Sequence, residues 1–592
     1  MRRLVCAEIS SARDGVFWRS EALDPTDIGN PDYFHRDVDC QWACPAHTPV
    51  PEYIRMIAAG QYADAYMVNW HSNVFPGILG RTCDRPCEPA CRRVRVEKEP
   101  VAICRLKRVA ADYKGDISER LPLTPPKNGK RVACIGAGPA SLTVARDLVT
   151  QGYEVVIYES DPLAGGMMRT QIPKFRLPEA VLAEEVDLVL DLGVELRAGQ
   201  KIESMKKLLA EPYDAIFVGC GAPRGRELTL PGRKEAGAHI HVGIDWLASV
   251  SFGHTTKIGK RVIVLGGGNT AMDCCRSSRR LGGEEVTVVV RSGFEEMKAS
   301  PWEKEDAMHE GIPILNFMVP KEFVHENGLL KGVRFEKVHA VKDAKGRRQL
   351  VPTGEPEVLV ECDDVLVAVG QENAFPWIER GLGIEFDEWD MPKVDTKTMR
   401  STHERVFFGG DAAFGPKNII WAVAHGHEAA VSIDKLCNGE ALDHRPLPAV
   451  VVVGQKMGIH EWSYDNAPSN DARKKVPLRD KELALKDIKM EVELGFDDKL
   501  AFAEAQRCLN CDVQTVFSDK LCIECDACVD ICPMDSLSLK TVCTSQLRQR
   551  CASAKASLSS KPSSTSILMS LSTTAFSRSG TFLRRSLDGE LS

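Results

Sequence analysis

Residues 130–160 read KRVACIGAGPASLTVARDLVTQGYEVVIYES. A basic pair leads into an apolar strand, Val132 to Ile135, and Gly136 and Gly138 follow in a tight turn. A helical pattern comes next, and a second strand ends at Glu159, 23 residues after the first glycine. Glycines at such a turn let the backbone approach a pyrophosphate at a helix N-terminus, and the acid is placed to bind a ribose. The third fingerprint position, where helix packs on strand, holds Ser141. The alternative, a generic glycine-rich turn, does not account for the flanking strands and the acid.

A second copy follows at 260–292, KRVIVLGGGNTAMDCCRSSRRLGGEEVTVVVRS, with Gly266, Gly268 and Ala271 at the turn. Its second strand, Glu285 to Val290, ends at Arg291 in place of an acid. A cation there suits a 2′-phosphate and hints at NADP, although Ser292 leaves that cationic site thin. Residues 406–430, VFFGGDAAFGPKNIIWAVAHGHEAA, give a strand ending in Gly409, Gly410 and Asp411, then a helix from near Ile419. Asp411 is placed to bond a ribityl hydroxyl or a phosphate. The order of these units means that the second fold is inserted into the first. Two dinucleotide folds in one chain point to an α/β flavin enzyme with a nicotinamide donor.

Composition fits that class. The chain has 592 residues, 43% hydrophobic and 27% charged, which is material for several packed domains. A net charge of -7 and 6% aromatic content argue against a nucleic-acid binder. No apolar run approaches the roughly 20 residues of a membrane helix, and no signal peptide is read, so a cytoplasmic location is expected. His425 and His427 fall near the expected flavin edge, and no catalytic dyad is identified. Adjacent Cys274 and Cys275 lack redox-pair spacing and read as packing.

Of 21 cysteines, 15 lie in the two ends of the chain, seven in residues 1–104 and eight in 508–592. A cytosolic protein has little use for disulfides, so such density reads as metal or iron–sulfur ligation. Cys40 and Cys44 stand in CQWACP, and Cys83, Cys87 and Cys91 in CDRPCEPAC. The segment Tyr53 to Trp70 reads as one helix. Residues 522–533, CIECDACVDICP, carry Cys522, Cys525, Cys528 and Cys532 in the bacterial ferredoxin spacing. Zinc is the alternative there. No second ferredoxin motif follows, so occupancy of this third cluster is left open. From about Ser536 the chain is Ser-rich and acid-poor, a composition expected to be disordered. It is either a flexible tail or the product of a frameshift.

The stretches GAGPASL, LAGGMMRTQIPKFRLP (163–178), GGGNTAMD (266–273) and 409–430 resemble the small (beta) subunit of glutamate synthase and its flavoprotein relatives. The N-terminal part of dihydropyrimidine dehydrogenase belongs to the same set. The resemblance covers roughly residues 36–440. It implies FAD at Gly136, Gly138, Glu159, Gly166, Arg176 and Asp411, the last beside Gly410. It implies NADPH or NADH at Gly266, Gly268, Asn269, Thr270 and Arg291. It also implies an N-terminal helical domain with two [4Fe-4S] clusters. In that family a CxxC pair lies just upstream of the CP motif, whereas here Cys508 and Cys511 in EAQRCLNC are the matching pair. We therefore expect them to fold back onto the N-terminal domain. The family's non-cysteine ligand position falls on Lys107, a poor iron ligand, with Cys104 one turn earlier. Cys40, Cys44, Cys83, Cys87, Cys91, Cys104, Cys508 and Cys511 then suffice for two clusters, the alternative being one cluster plus spare thiols.

The expected organisation is a helical iron–sulfur domain (1–125), an FAD domain in two parts (126–245 and 371–440) around an NAD(P) domain (246–370), a connector (441–503), a ferredoxin-type segment (504–535) and a tail (536–592). The expected function is electron transfer between a nicotinamide, FAD and 4Fe-4S clusters, as a subunit serving a catalytic partner. A stand-alone ferredoxin:NAD(P)H oxidoreductase and a non-catalytic iron–sulfur scaffold are the alternatives.

Overall fold

The computed structural model describes residues 38–342, 348–445, 453–456, 469–516, 537–540 and 568–571. The ferredoxin-type motif, with Cys522, Cys525, Cys528 and Cys532, lies outside the described residues, as does most of the tail. Within the tail, Leu537–Lys540 and Leu568–Leu571 pair antiparallel.

Two five-stranded sheets organise the centre. In the first, the spatial order is Val406–Phe408, Ala215–Val218, Arg131–Ile135, Glu154–Tyr158 and Glu195–Arg197. All neighbours run parallel, and Arg131 stands opposite Glu154. In the second, the order is Ile240–Val242, Asp364–Val367, Arg261–Leu265, Glu285–Val289 and Ile314–Leu315, again all parallel. The central strands are largely apolar because helices cover both faces of a parallel sheet. Val132, Ala133, Cys134, Val262, Ile263 and Val264 are accordingly buried.

The first sheet takes its last strand from beyond the second sheet, so one fold is inserted in the other. The chain crosses between them twice, and the crossings, Arg224–Gly225 and Gln371–Glu372, pair antiparallel. An antiparallel sheet of four strands fills 318–361, centred on the long strand Leu329–Lys342. That sheet was not read from the sequence.

Residues 39–112 form the helices Asp39–Ala43, Val50–Ala58, Tyr62–Asn73, Pro76–Thr82, Arg93–Glu97 and Ile103–Asp112. The single helix expected over Tyr53 to Trp70 is therefore two. Gly60, at φ +72°, ends the first after Ala58, a conformation that glycine adopts without strain.

Glu185, on the helix Glu179–Leu190, joins this helical unit to the first sheet's layer. Its buried carboxylate accepts from Gly77 N at 2.6 Å, Ile78 N at 2.9 Å and Tyr66 Oη at 3.0 Å. Residues 469–512 return across the same unit. Arg473 pairs with Glu88 at 2.7 Å, Arg81 with Glu491 at 2.8 Å, and Val492 N donates to Phe175 O at 3.1 Å. Among the described residues, no helix is long and apolar enough to cross a membrane.

Candidate cofactor sites

Each glycine turn opens a helix at the carboxyl edge of its sheet. Gly138 caps the helix Pro139–Val149, whose first position is a proline, where the missing N–H costs nothing. Gly268 caps Asn269–Arg280. Around Gly268 a side chain would meet nothing within 4 Å, so the backbone there faces open space, as a bound pyrophosphate requires. Gly166 lies against Gly138, where a Cβ would stand 2.8 Å from the Gly138 Cα. The FAD turn is thus lined by two bare backbones.

Ser141 is fully buried. The small residue that the fingerprint wants at this packing point is found across from it: a Cβ on Gly219 would collide with Ser141 Oγ. Ser141 Oγ, Asn373 Oδ1 and His425 Nδ1 are buried without a hydrogen-bond partner among the described residues. Such orphaned groups carry a cost unless something bonds them, and they line the first sheet's end. Glu159 accepts from Ala137 N at 2.6 Å and from Asp161 N at 2.9 Å, so the acid is held on the glycine turn. Asp411 opens a short helix after Gly410 and accepts from Lys417 N at 2.9 Å, while burial pushes its carboxyl up to about 6. These features fit a flavin dinucleotide.

Arg176 is engaged by the second fold. Its guanidinium is held by Asp273 at 2.6 Å and by Glu303, both on helices of the second fold. These carboxylates extend to Arg276, Asp306, Glu310 and Arg280 in one buried network. Phe175 adds to it by stacking under Arg280 at 3.9 Å and Arg276 at 5.0 Å. Arg176 therefore ties the two folds together through these carboxylates. Arg291 stands two residues past the strand Glu285–Val289 and is exposed to solvent. Asn269 Oδ1 accepts from Ser300 N at 2.8 Å, and Thr270 is partly accessible at the same helix start.

The cysteines fall into two sets. Cys40, Cys91, Cys508 and Cys511 are close enough to perturb one another: burial raises the Cys40 thiol first, then Cys511, Cys91 and Cys508. Cys83 and Cys87 both share hydrogen bonds with Cys104, and Cys44 faces Lys107 beside them. Buried Tyr53 stands between the sets, within reach of Cys87, Cys104, Cys40 and Cys44. Among the described residues no three side chains close on a point as the ligands of a single metal ion do; a cubane is larger and its ligands stand wider apart. Eight buried or half-buried thiols in two sets fit two such clusters.

The segment carrying Cys508 and Cys511 is tied down firmly. Asp512 takes Arg55 bidentately at 2.6 Å for each bond. Glu504 accepts from Ala102 N at 2.8 Å, and Arg507, wholly buried, donates to Pro100 O and Glu99 O.

Asp84 escaped the sequence reading. It follows Cys83 directly. Its carboxylate accepts from Asn418 Nδ2 at 2.8 Å, at the cap of the helix Ile419–Cys437. It also accepts from Ser300 Oγ at 3.3 Å and Asn269 Nδ2 at 3.4 Å in the second fold. One residue beside Cys83 thus touches both dinucleotide folds. The CDRPC motif drew attention to the cysteines alone.

A family model of pyridine nucleotide-disulphide oxidoreductases matches residues 130–426. A model described as dihydropyrimidine dehydrogenase domain II, 4Fe-4S cluster, matches 35–118. The NADPH-Fe(3+) oxidoreductase subunit beta of Geobacter sulfurreducens is 34% identical, over 82% of this chain and 77% of that one. The NADP(+)-dependent formate dehydrogenase subunit beta of Moorella thermoacetica is 34% identical, over 80% and 70%. The glutamate synthase [NADPH] small chain of Escherichia coli is 30% identical, over 67% and 87%.

Proposed function

The chain belongs to the pyridine nucleotide-disulphide oxidoreductase family and is an FAD- and iron–sulfur-containing oxidoreductase; from that premise we propose that it carries electrons from NADPH through FAD to two [4Fe-4S] clusters and on to a partner subunit. The relatives' names supply the donor and the partner: two are beta subunits and one a small chain, and all three names include NADPH or NADP(+). The observation that carries the reading is Asp84, which abuts Cys83 and bonds Asn418 and Asn269 at once.

Bound FAD would supply the exchange between a two-electron hydride and single electrons. The chain's own residues hold and align. Gly136, Gly138 and Gly166 leave room for the flavin pyrophosphate, Glu159 and Asp411 offer carboxylates to its sugar and ribityl hydroxyls, and Ser141 contributes an unpaired hydroxyl. Gly266, Gly268, Asn269 and Thr270 do the same for the nicotinamide dinucleotide, and Arg291 offers its 2′-phosphate a cation. Cys40, Cys91, Cys508 and Cys511 would hold one cluster, and Cys44, Cys83, Cys87 and Cys104 the other. The second set is the one next to Asp84, so it comes first after the flavin. The set with Cys508 and Cys511 follows.

Anaerobic titration with NADPH and then NADH, followed by visible absorbance, tests this. Loss of the flavin band with NADPH is expected. A flavin that neither nucleotide reduces would make the partner the electron source.

A further inference from the structure

We propose that Lys107 is the fixed counter-cation of the cluster held by Cys44, Cys83, Cys87 and Cys104, and that it makes this cluster the better electron acceptor of the two in the helical domain. The inference rests on the reading that this set of thiols carries a cluster.

Lys107 lies in the middle of the helix Ile103–Asp112, one turn after Cys104, with 3% of its surface exposed. Its ammonium donates to Asn73 Oδ1 at 2.8 Å, and Asn73 is itself buried and held by Asn69. No carboxylate forms an ion pair with it among the described residues. The ionisable groups facing it are the thiols of Cys104, Cys83, Cys44 and Cys87. A buried ammonium is costly unless an opposite charge compensates it. Protonated thiols cannot do so, whereas a cluster with four thiolate ligands is a dianion in its oxidised form. The lysine and its surroundings therefore make electrostatic sense around an occupied cluster. The neighbouring Arg85 adds a second buried cation, stacked at 4.1 Å over Trp302.

The other set is balanced differently. Arg55 is neutralised by Asp512 at 2.6 Å and Arg92 by Asp39 at 2.9 Å. The carboxylate on the Lys107 side, Glu88, accepts from Cys104 N but is matched by Arg473 at 2.7 Å. Beside the set with Cys104, among the described residues, Lys107 and Arg85 have no ion-pair partner and stand against the carboxylate of Asp84, which only neutral donors bond. Reduction adds one electron and no proton to a cluster, so a fixed cation beside it favours the reduced form. Lysine at a position where a ligand could stand, with Cys104 one turn earlier as the sulfur donor, separates ligation from charge compensation.

The test is potentiometry on the full-length protein, purified anaerobically as wild type, Lys107→Met and Lys107→Arg. Iron, sulfide and flavin are counted first. Mediated dithionite titration is then followed by low-temperature EPR. We expect Lys107→Met to keep the wild-type iron and to shift one cluster signal to more negative potential, with the others unmoved. Lys107→Arg should stay near the wild type. Full iron and an unshifted signal in Lys107→Met would overturn the proposal. So would loss of one cluster's iron in Lys107→Met together with its retention in Cys104→Ser, since the lysine would then be the ligand. If Lys107→Met does not fold, Lys107→Gln, which keeps the bond to Asn73, carries the same comparison. Wild-type protein with iron for only one cluster in this domain would remove the underlying reading, a result distinguishable from an unshifted potential.

Discussion

Asp84 Oδ2 accepts a hydrogen bond from Asn418 Nδ2 at 2.8 Å, across 334 positions of sequence. The first residue lies in the loop between Cys83 and Cys87, and the second caps the helix Ile419–Cys437. With Asn269 on the other oxygen, the contact fixes three units at one point.

Asp84→Ala should leave iron and flavin contents unchanged and slow the passage of electrons from flavin to cluster. A lost hydrogen bond is typically worth about 0.5–1.5 kcal/mol. The corresponding loss of alignment slows the step roughly two- to twelvefold. Rapid mixing with NADPH reads it directly, since flavin reduction itself should keep its wild-type rate.

Arg176 sets up a second prediction. Arg176→Met leaves buried Asp273 without its partner and Glu303 with Arg276 alone. Removing one member of a buried pair costs about 3–5 kcal/mol. Denaturant unfolding should show that loss, and the double variant Arg176→Met with Asp273→Leu should recover much of it, because no bare charge then remains.

The Arg55–Asp512 pair anchors the returning segment. In Asp512→Ala the bidentate bond is gone while the thiols of Cys508 and Cys511 are untouched. Purified protein should lose iron in proportion to one cluster and retain its flavin. Cys508→Ala should do the same. Unchanged iron in both variants would mean that these residues serve no cluster.

Glu185 predicts a pH dependence. Burial raises its carboxyl from an ordinary 4.5 to about 7, against the lowering effect of the Gly77 and Ile78 amides. The folded chain therefore holds a proton that the unfolded chain has released, and between those values the native state binds more protons. Stability must fall as pH rises from 4.5 toward 7, with no further loss from this group above that. At about 1.4 kcal/mol per pKa unit, the whole change is roughly 3 kcal/mol. The difference in unfolding free energy between wild type and Glu185→Gln, measured across this range, should carry that slope.

How much of this was legible before folding follows from how local each signal is. The turns at Gly136 and Gly266 and the acid at Glu159 were readable because strand, turn and helix are contiguous. Ser141 was readable as an exception, but its compensation at Gly219 lies on a different strand. The cysteines could be counted but not sorted. Cys40 lies within one short helix and Cys44 caps its end, and they still join different sets. Arg176 sat inside a family-like stretch, so proximity to the flavin turn was inferred, whereas its charge partners come from 97 and 127 residues away. The antiparallel strands of 318–361 are half exposed and polar on one face, so their alternation is a weaker signal than the apolar runs of the parallel sheets.

The central claim is a continuous electron path, and time-resolved reduction tests it most directly. Anaerobic protein is mixed rapidly with NADPH while the flavin band and the broad cluster absorbance are followed together. The account predicts that the flavin bleaches first and that cluster absorbance then falls in a second phase, at a rate set by Asp84. Flavin that bleaches fully with clusters left oxidised, although dithionite reduces them, would contradict it.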